Sequence, residues 1–186
     1  MKLIVILGIV GAAGSAMAQD IPDMEKLAAL GKPGAKHKFL ESFIGKWTVE
    51  VTYKIGEMEG KSKAECEYKS LHDGRYFLAE YRSEMMGQPF IVNQTLGYDP
   101  LRDKFFDFQI ESGNTSYLLY SGTCDTQGKK FDLYGDSFDP MTMKPAKMHI
   151  VKRVESKDKF VVEWYTVREG GKEEKTVTLV HTRKKE

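Results

Sequence analysis

Residues 61–85 read KSKAECEYKSL, HDG, RYFLAEYRSEM. In the first run bulky and polar side chains alternate, the period of a pleated strand with one covered and one wet face, and the second is rich in Tyr and Phe with large groups on both faces. The tripeptide between them, His72-Asp73-Gly74, ends on the Asp-Gly pair that hairpins favour, because glycine accepts a positive φ without a steric penalty. The reading is an antiparallel hairpin, strands 61–71 and 75–85.

The pattern repeats outward in both directions. Upstream, 46–55 forms one more strand, set off by Gly56 and Gly60. Downstream, Val-, Thr-, Tyr- and Phe-rich runs fall at 91–98, 104–112, 115–125, 129–138, 146–155, 159–168 and 173–182. Their separators are Met86-Gly87-Gln88-Pro89, Asp99-Pro100, Gly113-Asn114, Gln127-Gly128, Asp139-Pro140, Lys157-Asp158 and Gly170-Gly171. Ten strands joined by short turns make a meander, and no helix is long enough to cover a parallel sheet. An open sheet of that width would leave two unpaired edges, which closure into an antiparallel barrel removes. A two-sheet sandwich fits the same strands less economically. The expected fold is therefore all-β, a barrel over 46–184 behind one or two short helices.

Those helices occupy 19–45. Pro22, Asp23 and Glu25 mark a first turn, Met24, Leu27 and Leu30 share one face, and Gly31 ends the run. After Lys32-Pro33-Gly34, a second helix over 35–43 would bury Phe39, Leu40 and Phe43. Residues 1–18 have a different character. Lys2, an apolar run over 3–10, small residues and Ala16-Met17-Ala18 match a cleaved secretory leader. The apolar run is too short to span a bilayer, which takes about 20 residues. The expectation is an exported protein, periplasmic or secreted, with no membrane span.

The formal charge of the 186-residue chain is +1. Lys2 accounts for that excess, so the remainder is neutral and offers nucleic acid no attracting field. Two cysteines, Cys66 and Cys124, enter an oxidising compartment and could pair, although their spacing fits no zinc pattern. The chain contains no nucleophile elbow, P-loop, dinucleotide fingerprint or zinc-protease motif, and the histidines His37, His72, His149 and His181 are scattered. No catalytic set and no metal site is expected.

Strand alternation nominates a binding site. Tyr76, Leu78, Glu80 and Arg82 share one face of their strand, and Phe105, Asp107, Gln109 and Glu111 share one face of theirs. If both faces point inward, Glu80, Arg82, Gln109 and Glu111 form a polar patch in an aromatic lumen, with Trp164 and His181 from the closing strands. If they point outward, they are surface charges. Trp47 and Arg183, on the first and last strands, would stack and seal one barrel end, a structural pair worth about 0.5–2 kcal/mol.

Several segments together resemble a known family. These are His37-x-x-Leu40, Gly45-Lys46-Trp47, Gly74-Arg75-Tyr76-Phe77-Leu78 with Glu80, and Gly87-Gln88-Pro89-Phe90. Gly97-Tyr98-Asp99, Gly122-Thr123, Asp139-Pro140 and Thr182-Arg183-Lys184 complete the set. In order and spacing, over residues 36–184, they are similar to a bacterial family of domains of unknown function, numbered 1579. The resemblance implies a lipocalin-like, calycin-type barrel with no established activity. Where that family tends to place Trp-x-Asp, this chain has Gln109-Ile110-Glu111, and where it often has an aromatic, His181 stands. A more distant likeness to haem-binding nitrobindin-type barrels makes His181 a candidate iron ligand. The functional expectation is a non-enzymatic barrel holding a small apolar molecule. The alternatives are a haem-binding or enzymatic barrel using His181 or the Glu80/Glu111 pair, and a filled barrel acting as a protein-interaction module.

Overall fold

The computed structural model describes residues 23–85, 87–139, 142, 144–167 and 172–185. The leader expected at 1–18 and the Gly170-Gly171 turn lie outside them. The described residues up to Gly31 and those from Lys32 onward form two units. In the first, α1 (Met24–Leu30) starts on Asp23, whose carboxylate accepts the backbone N–H groups of Glu25 and Lys26 at 3.1 and 3.2 Å. Its Met24, Leu27 and Leu30 are exposed.

The second unit begins with α2 (Ala35–Phe39) and a 3-10 turn, Leu40–Phe43, so these belong with the barrel. Ten strands follow: β1 (Gly45–Ile55), β2 (Met58–Leu71), β3 (Tyr76–Met85), β4 (Gln88–Asp99) and β5 (Lys104–Glu111), then β6 (Tyr117–Cys124), β7 (Lys130–Phe138), β8 (Pro145–Ser156), β9 (Lys159–Val167) and β10 (Glu173–Arg183). Each pairs antiparallel with its sequence neighbour, and β1 pairs with β10, so the sheet closes. The closing register sets Trp47 against Arg183, Val49 against His181 and Val51 against Leu179.

The expected strand limits hold to within a few residues. The largest differences are at β2 and β4, which each start three residues earlier than expected; β2 starts at Met58 because Ile55 already pairs with Met58 across Gly56-Glu57. Gly60 is thus a strand residue and not part of the loop. Its missing side chain makes room for Tyr53, whose hydroxyl lies 2.4 Å from where a Cβ would stand.

One end of the barrel is plugged. Phe43 packs on Phe160 at 5.0 Å and on Phe131 at 5.6 Å, and Trp47 meets Phe160 edge-on at 4.7 Å. The Trp47 indole N–H donates to the Phe43 carbonyl at 2.8 Å. Arg183 lies over the Trp47 ring at 4.1 Å and donates to the carbonyls of Ile44 (2.7 Å) and Lys157 (2.8 Å). The predicted seal therefore ties the helical entry, the first strand and the last strand together. Gly45 permits it: its φ is +127°, and a Cβ there would sit 2.3 Å from the Arg183 guanidinium.

Candidate functional site

Side-chain parity decides what faces the lumen. On β5 the inward set is Phe105, Asp107 and Gln109, all buried, with Glu111 half-buried at its end. On β3 the buried set is Phe77, Ala79 and Tyr81, fixed by the pairing of Tyr81 with buried Cys66. Glu80 and Arg82 therefore point outward, where they form an ion pair of 2.6 Å, with the Arg82 side chain 64% exposed. Two of the candidate residues thus leave the site. The sequence leaves both facings open because Leu78, 41% exposed, and Tyr76, 39%, are large apolar groups on the wet face. Glu80 and Glu111 lie on opposite sides of the barrel wall, so they cannot act as an acid/base pair.

Inside, above the plug, lies a buried polar layer. Asp107 pairs with Lys152 at 2.8 Å, and the two side chains are 0% and 2% exposed. Gln94 Nε2 donates to both Asp107 oxygens at 2.8 Å, and Gln109 Nε2 donates to one of them at 2.9 Å. Tyr68 donates to Gln94 Oε1 at 2.5 Å, the Tyr68 and Tyr81 hydroxyls are 2.7 Å apart, and Tyr81 lies 3.1 Å from His181 Nε2.

The proton directions follow from Asp107. Beside Lys152 it is a carboxylate and only accepts, so Gln94 turns its amide nitrogen toward it and its oxygen toward Tyr68. Tyr68 has one hydrogen and gives it to that oxygen. Tyr81 must then donate to Tyr68, and His181 Nε2 must donate to Tyr81. His181 is the neutral Nε2–H tautomer, and its Nδ1 lone pair is buried without a partner. Burial, reinforced by the nearby Lys152 charge, pushes its pKa down to about 3. Burial likewise raises both tyrosines well above the ordinary phenol value.

Beyond this floor the walls change character. Val51, Val92, Leu118, Trp164 and Leu179 occupy inward positions, yet all are only half-buried and pack against the core from its margin. An inward side chain of a closed barrel keeps such exposure only if the lumen is open at its level. Tyr120 meets Trp164 edge-on at 6.0 Å, and its buried hydroxyl makes no hydrogen bond of ordinary geometry. Glu111 completes the wall. Its carboxylate accepts from the Asn114 amide, and burial alone raises its pKa. Of the candidate residues, Gln109, Glu111, Trp164 and His181 are thus brought to one lumen. Tyr68, Tyr81, Gln94 and Lys152 were missed. Lys152, a cation within the run His149-Ile150-Val151-Lys152, was the available signal.

As placed, His181 does not fit an iron. Nε2 is engaged by Tyr81, Nδ1 is enclosed, and the ring lies flat on Phe160 at 3.8 Å. Haem would have to displace Tyr81. Cys66 and Cys124 are free thiols, which corrects the suggested pairing. β2 and β6 are separated by three strands around the wall, and burial pushes both thiols up to about 12. His149 sits outside, stacked on Tyr134 at 4.2 Å between Asp132 and Glu173. Among the described residues no group of His, Cys, Asp and Glu is set to hold a metal, and no helix is long and apolar enough to cross a membrane.

A closed ten-stranded meander with Gly45-Lys46-Trp47 stacked under a terminal arginine defines a calycin-like β-barrel. Residues 32–183 match the family described as Protein of unknown function (DUF1579), and the chain belongs to that family. Among solved structures, the crystal structure of Rv2717c from M. tuberculosis is similar, with a TM-score of 0.61 at 12% identity, over 83% of this chain and 100% of that one. That likeness is one of fold. A redesigned beta barrel covers 78% of this chain and 94% of its own at 14% identity, with a TM-score of 0.43. No curated protein sequence matches.

Proposed function

We propose that this chain is an exported, non-enzymatic barrel that binds a small, largely apolar molecule in the open half of its lumen. The observation that carries the reading is the contrast along the lumen. Val51, Val92, Leu118, Trp164 and Leu179 face inward but stay half-buried, above a floor that is fully buried and hydrogen-bonded. Apolar walls over a few convergent polar groups are the usual form of a ligand pocket. Export rests on Lys2, the apolar run over 3–10 and Ala16-Met17-Ala18.

The test is extraction and mass spectrometry of protein purified from its own compartment, with titration of Trp164 fluorescence against short-chain apolar compounds. A co-purifying small molecule, or saturable change at Trp164, supports the reading. A ligand-free protein that responds to no compound overturns it. For export, the mature protein should begin at Gln19; an intact Met1 would contradict it.

A further inference from the structure

The polar valence left open on the upper wall is an acceptor. Glu111 is half-buried on the inward face of β5. Asn114 serves one of its oxygens, and among the described residues no cationic side chain pairs with it. His181 Nδ1 is enclosed within the floor, out of a ligand's reach. The Tyr120 hydroxyl, able to give or take, has no hydrogen-bond partner of ordinary geometry. The donors of the floor are spent: Lys152, Gln94 and Gln109 all turn their nitrogens to Asp107.

The charges point the same way. Lys152 and Asp107 cancel, His181 is neutral, and Arg183 is held in the plug by backbone carbonyls. Glu111 remains on the wall, with no cationic side chain beside it among the described residues. An anionic ligand would bring a further negative charge and more acceptors into a lumen already supplied with both. That leaves buried acceptors unmatched and adds like-charge repulsion. A ligand bearing N–H donors and a positive charge relieves both. Building on the binding reading above, we propose that the lumen ligand is a small amine, an apolar body carrying a cationic nitrogen that pairs with Glu111.

The experiment compares octylamine, 1-octanol and octanoate by calorimetry and Trp164 fluorescence on the full folded protein. Octylamine should bind at least about tenfold tighter than octanoate, since it gains a charge-assisted hydrogen bond to Glu111 where octanoate meets like-charge repulsion. Glu111→Gln should erase that preference while octanol affinity stays. Glu80→Gln, on the outer wall, should leave it intact. Octanoate or octanol binding as well as octylamine, or a preference that survives Glu111→Gln, overturns the amine assignment and leaves the pocket standing. Failure of all three to bind overturns both.

Discussion

Val49 and Val51 stand two residues apart on the same face of β1, and they live in different solvents. Val49 is fully buried against His181 and the aromatic plug, whereas Val51, opposite Leu179, is half-buried. The lumen divides at that step. Below it, rings of Phe43, Trp47, Phe131 and Phe160 interlock, and the polar groups pair in a chain from Lys152 to His181. Above it, Val51, Val92, Leu118, Trp164 and Leu179 face inward but stay only half-buried. Burial is concentrated in the closed half, and the ligand proposed above would occupy the other.

Breaking the closed half should have the largest effect. Lys152→Met leaves Asp107 buried without its counter-charge, and such a loss costs about 3–5 kcal/mol. Urea denaturation of Lys152→Met, and of the double variant Asp107→Leu/Lys152→Met, checks this. The double variant should recover part of the loss, because no lone charge remains. A single substitution without measurable cost would place water or an alternative partner at Asp107.

The valines give the comparison its sharpest form. Val49→Ala should destabilise by about 2 kcal/mol and Val51→Ala by less than about 1 kcal/mol, because a wall already open to water loses little burial. Equal losses in paired denaturation curves would erase the boundary between the halves.

The floor also predicts an acid response. Burial holds the folded His181 at about 3, far below the ordinary imidazole value of 6.5. Its folded-state pKa is depressed, so the unfolded chain binds the proton first. The His181 contribution to stability is constant above about pH 6.5 and falls below it by up to about 1.4 kcal/mol per pH unit, on the way down to about 3. Between pH 6.5 and 4.5 Glu111, raised by burial, contributes with the opposite sign, and the lowered carboxylates are still ionised in both states. Glu163 is held at about 2, its burial outweighed by hydrogen bonds from Lys175, Arg153 and Tyr165, and it enters only below 4.5. His37, lowered by burial, adds a smaller share. His181→Phe should flatten most of that slope in stability curves taken between those two pH values; an unchanged slope would assign it elsewhere. The smallest effect belongs to the outer wall, where Arg82→Gln should stay within about 0.5 kcal/mol because its ion pair with Glu80 is solvated.

Much of the barrel was legible because its signal is local. Period-two alternation and turn residues placed all ten strands, and Gly45-Lys46-Trp47 with Arg183 announced which strands meet at the seam. Facing was harder. On β5, Asp107 between Phe105 and Gln109 marks the inner face, but on β3 both faces carry large apolar groups, so the facing of Glu80 and Arg82 stays open in the sequence and is settled by register. Tyr68, Tyr81, Gln94 and Lys152 come from four different strands. Their convergence is a property of register around the closed wall, which no window of sequence contains. Pairing of Cys66 with Cys124 failed for the same reason, since three strands intervene.

The chain has two tryptophans, one in each half, Trp47 in the plug and Trp164 in the open wall. Acrylamide quenching of the wild-type protein, compared with Trp164→Phe, reads each half separately. The quenchable component should disappear with Trp164→Phe, leaving the Trp47 signal shielded. If removing Trp164 leaves quenching unchanged, the upper lumen is as closed as the floor and the ligand has nowhere to go.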